Sequence, residues 1–425
     1  MKHLSFLSLF ALLALFSCKS DDLDLDLEQD VSEANEVAWQ YMQEWYLWND
    51  GMPEVDPQHS THPHRVVRAL AWFEYDRWSS VGELSAYSSF YEEGTYVGFG
   101  YGLEEDLEDK LRIVFVYEDS PFADAGIQRG YEIVAINGVP YSQITSLSAA
   151  IGPGSVGASC RFTIIDYDGN EQEYDLVQRV CTIDPILHYE VQEVNGIKVG
   201  YFVFKTFIEP AIEAFDEAFA FFEAEGIDEL VVDLRYNRGG RVNVAVDLCE
   251  RIAPASVVGQ PLIKYKHNAD KAEEFDRTTL LGEKINELNL TRLIALTSFN
   301  SASASELVIN CLRPYMDVIM IGNKTYGKPV GSYGFTYEDY VISPIAFAVN
   351  NANDQGGYFK SINPDSWTAE NYSVPFGSEE EWGFQQALYY LQNGTFNEEI
   401  GKGFIEKPPL RDWDVQDLRW EVGSW

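Results

Sequence analysis

The sequence predicts a multidomain protein of mixed class, α+β toward its front and α/β behind, with a small helical domain leading. Three observations carry that expectation. Residues 37–48 place tryptophans and tyrosines on more than one side of a helical pattern, which requires burial on several faces. Between 97 and 138, short apolar runs are punctuated by glycines, as in hairpins. From about 182 onward, apolar strands alternate with amphipathic helices, the pattern of an α/β core. A chain of 425 residues has room for two or three domains and a large buried core.

Taken in order, residues 1–17 read as a secretory signal peptide. Lys2 supplies the positive start, and the apolar stretch 4–16 is too short to span a bilayer but has the length of a signal core. It ends Leu15-Phe16-Ser17-Cys18, which resembles a lipoprotein signal box and implies a lipid anchor on Cys18. Residues 18–33 alternate acids with leucines and read as a flexible acidic tether. An acidic run directly after such a cysteine resembles the signal that sends some lipoproteins to the outer face of an outer membrane; a plain linker is the alternative. Residues 34–93 form the helical domain, with a second helix over 66–73. Residues 94–181 hold the glycine-punctuated hairpins. The core, 182–394, reads as strands at 196–204, 229–234, 293–296, 318–321 and 340–349, with helices at 211–225, 306–313 and 382–391. Residues 395–425 are a Trp-containing tail without an assigned place.

A formal charge of −38 excludes nucleic acid as a partner, because a phosphate backbone would be repelled. Apart from Cys18, the cysteines are Cys160, Cys181, Cys249 and Cys311. No C-x-x-C pair occurs, which argues against zinc; disulfides and buried thiols both remain open. His59, His62 and His64 lie in a Pro-rich turn without ligand spacing and read as a solvated loop. No metal and no organic cofactor is expected.

The chemistry concentrates in Ser301-Ala302-Ser303-Ala304-Ser305-Glu306, on the turn between a buried strand and a helix, and in Thr325-Tyr326-Gly327-Lys328 beyond the next strand. Serine is inert at its own pKa and needs a base; a desolvated lysine can be one. Ser303 and Glu306 also fit a capping box, which only satisfies the orphan amides of a helix start. A third stretch, Val231-Val232-Asp233-Leu234-Arg235-Tyr236-Asn237-Arg238-Gly239-Gly240, ends a strand in a Gly-Gly turn. Its amides could face a developing oxyanion, or it could be a plain strand-to-helix turn.

These three motifs in order, over about residues 34–394, resemble the C-terminal processing (tail-specific) peptidases, Ser/Lys endopeptidases that carry a PDZ domain. The resemblance implies a crotonase-like α/β serine peptidase core with Ser303 as nucleophile and Lys328 as general base. The oxyanion donors would be the N–H of Ala304 and of Gly239 or Gly240. Where the family often has a glutamine four residues after the lysine, this chain has Ser332, whose hydroxyl would support the dyad. Some members have an aspartate where this chain has Pro314. Residues 97–103 and 120–138 resemble a PDZ domain, with Gly98, Phe99, Gly100 and Tyr101 as the carboxylate-binding loop. A nucleotide-phosphate loop fails there because a strand, not a helix, follows. The implied function is hydrolysis of polypeptide substrates captured by their C-termini, on a lipid-anchored envelope protein of the outer membrane. The alternative is a catalytically silent peptide- or glycan-binding surface lipoprotein of the same fold. Oligomeric state stays unassigned.

Overall fold

A computed structural model describes residues 22–401, apart from 73 and 285–287, with side chains from residue 33 onward. Cys18, the expected signal peptide and most of the C-terminal tail lie outside the described residues. Among the described residues no helix is long and apolar enough to cross a membrane.

The centre is a six-stranded sheet in the order Ile186–Val194, Ile197–Phe204, Glu229–Asp233, Arg292–Thr297, Asp317–Gly322, Ser366–Trp367. The first pair is antiparallel and the rest run parallel. Helices Ala211–Glu225, Val242–Ile252 and Ala304–Leu312 make the crossovers between successive parallel strands. Alternation along the strands sorts side chains to two faces. Phe202, Phe204, Val232, Leu293 and Ala295 enter one core with the crossover helices. Tyr201, Val203, Val231, Ile294 and Leu296 enter the other, under helix Trp382–Asn393. Both faces are therefore dry, which explains why these strands read as continuous apolar runs.

Ahead of the core, Tyr101–Glu105, Leu111–Val116, Glu132–Ile136, Ser159–Ile165 and Glu171–Val177 form a separate antiparallel sheet around Phe99, Phe122, Ile133 and Phe162. The N-terminal helices Asp22–Trp45 and Pro63–Leu70, through Met42 and Val67, and the segments that follow them, through Tyr46 and Trp78, pack onto Ala302, Val330 and Ile345 of the core.

Two expectations need correction. The acidic stretch expected as a tether is helical from Asp22, continuous with the packed helix that ends at Trp45. Once residues 34–45 are fixed by burial, adding turns avoids the cost of a new nucleus. The run 340–349 is two strands, Tyr340–Ser343 and Ile345–Asn350, in different sheets. Pro344 between them lacks the N–H to continue a ladder.

Candidate active site

Three serines of the 301–305 turn have three different fates. Ser301 Oγ donates to Leu234 O at 2.8 Å, and Ser305 Oγ donates to Asn237 O at 2.9 Å. Both bolt the turn to the end of strand Glu229–Asp233. Ser303, only 3% exposed, has φ 55° and ψ −111°, and its Oγ has no hydrogen-bond partner. An ordinary helix cap holds extended backbone and spends its hydroxyl on the first turn. Left-handed backbone costs a serine roughly 1–3 kcal/mol and persists only where the surroundings impose it. Only one arm of the capping box is therefore engaged, the Glu306 carboxylate accepting from Ser303 N–H at 2.9 Å.

Glu306 does more than cap. Its fully buried carboxylate also accepts from Thr325 Oγ1 at 2.5 Å, Gly327 N at 2.7 Å and Lys328 N at 2.8 Å. It thus joins the serine turn to the Thr-Tyr-Gly-Lys turn. Burial raises its carboxyl to about 7, against the four hydrogen bonds that favour the anion.

Lys328, 2% exposed, and Ser303 line one cavity of about 10 Å³, with Val330 and Phe347 among its walls. Burial pulls the lysine down to about 7, opposed by the carboxylates of Asp76 and Glu306. The Trp78 ring centre lies 5.8 Å from its Nζ. Asp76 is fully buried, its Oδ1 accepting from Trp78 N at 2.8 Å and Ser79 N at 2.9 Å. The cover over the lysine thus comes from the N-terminal segment. Local sequence pattern gives no sign that the Asp76–Ser79 segment reaches the lysine. Ser332 is buried on strand Val330–Ser332, in register with Ile345, and is not among the residues lining the cavity.

The Gly-Gly turn touches the serine directly. A Cβ on Gly239 would sit 2.8 Å from Ser303 Cβ, and one on Gly240 would sit 2.3 Å from Phe207 O, so neither position has room for a side chain. Gly239 N–H already donates to Asn237 Oδ1 at 2.8 Å. Of the two glycine donors considered, this leaves Gly240; the first-turn amide of Ala304 lies against the neighbouring Gly239. Asn237 also accepts at its carbonyl from Ala302 N at 3.2 Å, which presses the two turns together. Asp233 and Arg235 lie beneath, paired at 2.5 Å, with Arg235 reaching Glu381 at 2.8 Å.

Gly98, Phe99, Gly100 and Tyr101 line a second cavity, of about 320 Å³, between the small sheet and helix Leu147–Ile151. Its far wall carries Arg238 and Asn300, neighbours of the Gly-Gly and serine turns. Phe99 O and Gly100 O are tied back by Phe122 N and Tyr117 N. Gly100 has φ 81°, and a Cβ there would sit 2.0 Å from Ser120 Cβ. Cys160, Cys181, Cys249 and Cys311 are buried free thiols.

Comparison with known proteins follows the same lines. The chain is 27% identical over 237 residues to the carboxyl-terminal-processing protease of Synechocystis sp., covering 54% of this chain and 52% of the relative. It is 28% identical over 232 residues to the carboxy-terminal processing protease CtpB of Bacillus subtilis, covering 54% and 46%. The chain thus spans about half the length of the curated relatives it matches. A crystal structure from Bacteroides fragilis NCTC 9343, of a protein assigned to the S41 proteases, superimposes with a TM-score of 0.68 at 25% identity, covering 84% of this chain and 97% of the other. The family model for peptidase family S41 matches residues 198–366, and that for the peptidase S41 N-terminal domain matches residues 33–80, together just over half of the sequence. On these grounds the chain, a mixed α/β protein with a helical N-terminal domain, belongs to peptidase family S41.

Proposed function

We propose that the chain is a serine endopeptidase in which Ser303 attacks the scissile carbonyl and neutral Lys328 takes its proton. The observation that carries the reading is Ser303 itself, a buried hydroxyl on left-handed backbone, without a partner, sharing a cavity with a buried lysine. Attack forms the Oγ–C bond. The oxyanion is met by the amides of Ala304 and Gly240, and the ammonium of Lys328 protonates the leaving amine as the C–N bond breaks. Water then repeats the sequence on the acyl-enzyme. At about 10 Å³ the cavity has room for roughly one water, so a substrate strand enters only when the surrounding walls move.

The small sheet serves as a PDZ domain, its 98–101 loop holding a substrate C-terminus in the neighbouring groove. The mature chain is held at the cell envelope, in the outer membrane, through lipid on Cys18. Fluorophosphonate labelling tests the chemistry. Wild type should be modified at Ser303 and Ser303→Ala should not. Labelling of neither returns the serine to a structural role and favours the catalytically silent peptide- or glycan-binding protein. For the anchor, Cys18→Ala should lose fatty-acid labelling and leave the membrane fraction; retention of both sinks that part of the reading.

A further inference from the structure

A third cavity, of about 390 Å³, opens beside the serine–lysine pair, and Val242 and Phe347 belong to the walls of both. Val242 begins the helix that leaves the Gly239-Gly240 turn. A peptide whose carbonyl is held at that turn would therefore project a group close to the scissile bond into this space. Its size, in the range of ordinary ligand pockets, suits one or two side chains.

The charged groups of the cavity are not all ion-paired. Asp247 is bound by Arg251 at 2.6 Å and Lys284 at 2.7 Å. Glu250 accepts from Gly282 N at 2.9 Å and lies 3.5 Å from Lys284. Tyr333, on the opposite wall, has its hydroxyl 3.0 Å from His267 Nε2, and that imidazole leans on Asp276 at 3.2 Å. Arg277 differs from all of these. Its guanidinium lies 4.6 Å from the Tyr265 ring centre, it is exposed, and among the described residues it makes no ion pair. In a chain with 68 acids against 30 lysines and arginines, a cation without a carboxylate reflects placement rather than shortage. Stacking on Tyr265, with hydrogen-bond contact to the Tyr265 and Tyr333 side chains, limits the guanidinium's freedom and leaves its remaining donors for a carboxylate.

We propose that this cavity is a substrate subsite for a carboxylate next to the scissile bond, read by Arg277. The inference rests on the endopeptidase reading and adds to it a chemical preference. Two sources supply the same group: an acidic side chain flanking the cut, or the chain end itself when the cut falls close to it. A basic side chain is disfavoured because the acids here are already paired.

The test uses the full-length protein and matched peptides. One arm places Glu, Gln or Lys at each position flanking the cut, with amidated ends. The other compares a free with an amidated end just beyond the cut in otherwise neutral peptides. Wild type should favour the carboxylate by about tenfold or more in kcat/KM in at least one arm, the size of a charge-assisted hydrogen bond. Arg277→Lys should keep the sign of the preference but weaken it, because an ammonium has the charge without the stacked planar fork, Arg277→Gln should flatten it, and Arg277→Glu should invert the Glu-to-Lys ratio or favour the amidated end. Ratios are taken within one variant, so a loss of folded protein does not imitate the effect. Wild type that labels at Ser303 and cleaves all peptides alike overturns the subsite alone, as does an Arg277→Glu enzyme with wild-type ratios. Wild type that neither labels nor cleaves overturns the endopeptidase reading and the subsite with it.

Discussion

Lys328 sets the sharpest test at the scale of single residues. Burial holds it at about 7, against about 10.4 for a lysine in water, so the amine is available as a base near neutrality. Activity should rise with pH along a limb near 7. Lys328→Arg should be as inactive as Lys328→Ala, because a guanidinium does not deprotonate in a protein. The same depression costs stability. A lysine whose folded value lies below its unfolded one destabilises the fold fully below about 7, and the cost disappears as pH passes the unfolded value. Lys328→Met should therefore be inactive yet more stable at pH 7, by about 2–4 kcal/mol, with the gain shrinking toward pH 10. Denaturant unfolding at pH 7 and 10 checks this; a Met variant less stable than wild type at pH 7 contradicts the buried, uncharged lysine.

At the scale of elements, legibility followed local periodicity. Helix Ala211–Glu225 and strand Arg292–Thr297 were readable because each carries its own pattern of burial and ends in ordinary stop signals. The serine turn stood out in the sequence, but which of its hydroxyls is tied to the neighbouring strand and which is left over did not. Which hydroxyl is spent depends on where Leu234 O and Asn237 O arrive, and those belong to another strand. Asp76 and the bonds of Glu306 to the Thr325–Lys328 turn were hidden for the same reason, since their partners lie 252 and 19 to 22 residues away along the chain. The groove of the small sheet shows a further limit. Gly100 belongs to the loop that the resemblance assigns to carboxylate binding, but a Cβ there meets Ser120, which caps the helix Pro121–Asp124. Gly100→Ala should thus destabilise the small sheet instead of isolating capture. Ile151, half-buried on the groove wall, is the better probe. Ile151→Glu should raise KM several-fold for substrates with a free C-terminus while the rate of Ser303 labelling stays near wild type. Equal cleavage of free and amidated substrates by wild type contradicts tail capture.

The whole molecule enters the chemistry through the N-terminal segment, which packs across the core and covers Lys328 with Trp78 and Asp76. These two neighbours act on the lysine in opposite directions. Trp78 excludes water, and at 5.8 Å from Nζ, the far edge of cation–π range, its ring returns to the ammonium less than this burial costs, whereas the Asp76 carboxylate favours the ammonium. Trp78→Ala should therefore raise the lysine's pKa from about 7 and move the rising limb of kcat/KM to higher pH. Asp76→Asn keeps Oδ1, the acceptor for both Trp78 N and Ser79 N, and removes only the charge. It should move the limb to lower pH. A general loosening of the fold would move both limbs the same way, toward the value of a lysine in water. Opposite displacements, measured as pH profiles of labelling and of peptide cleavage, would place the N-terminal segment among the groups that set the base; parallel or absent displacements would reduce it to a scaffold.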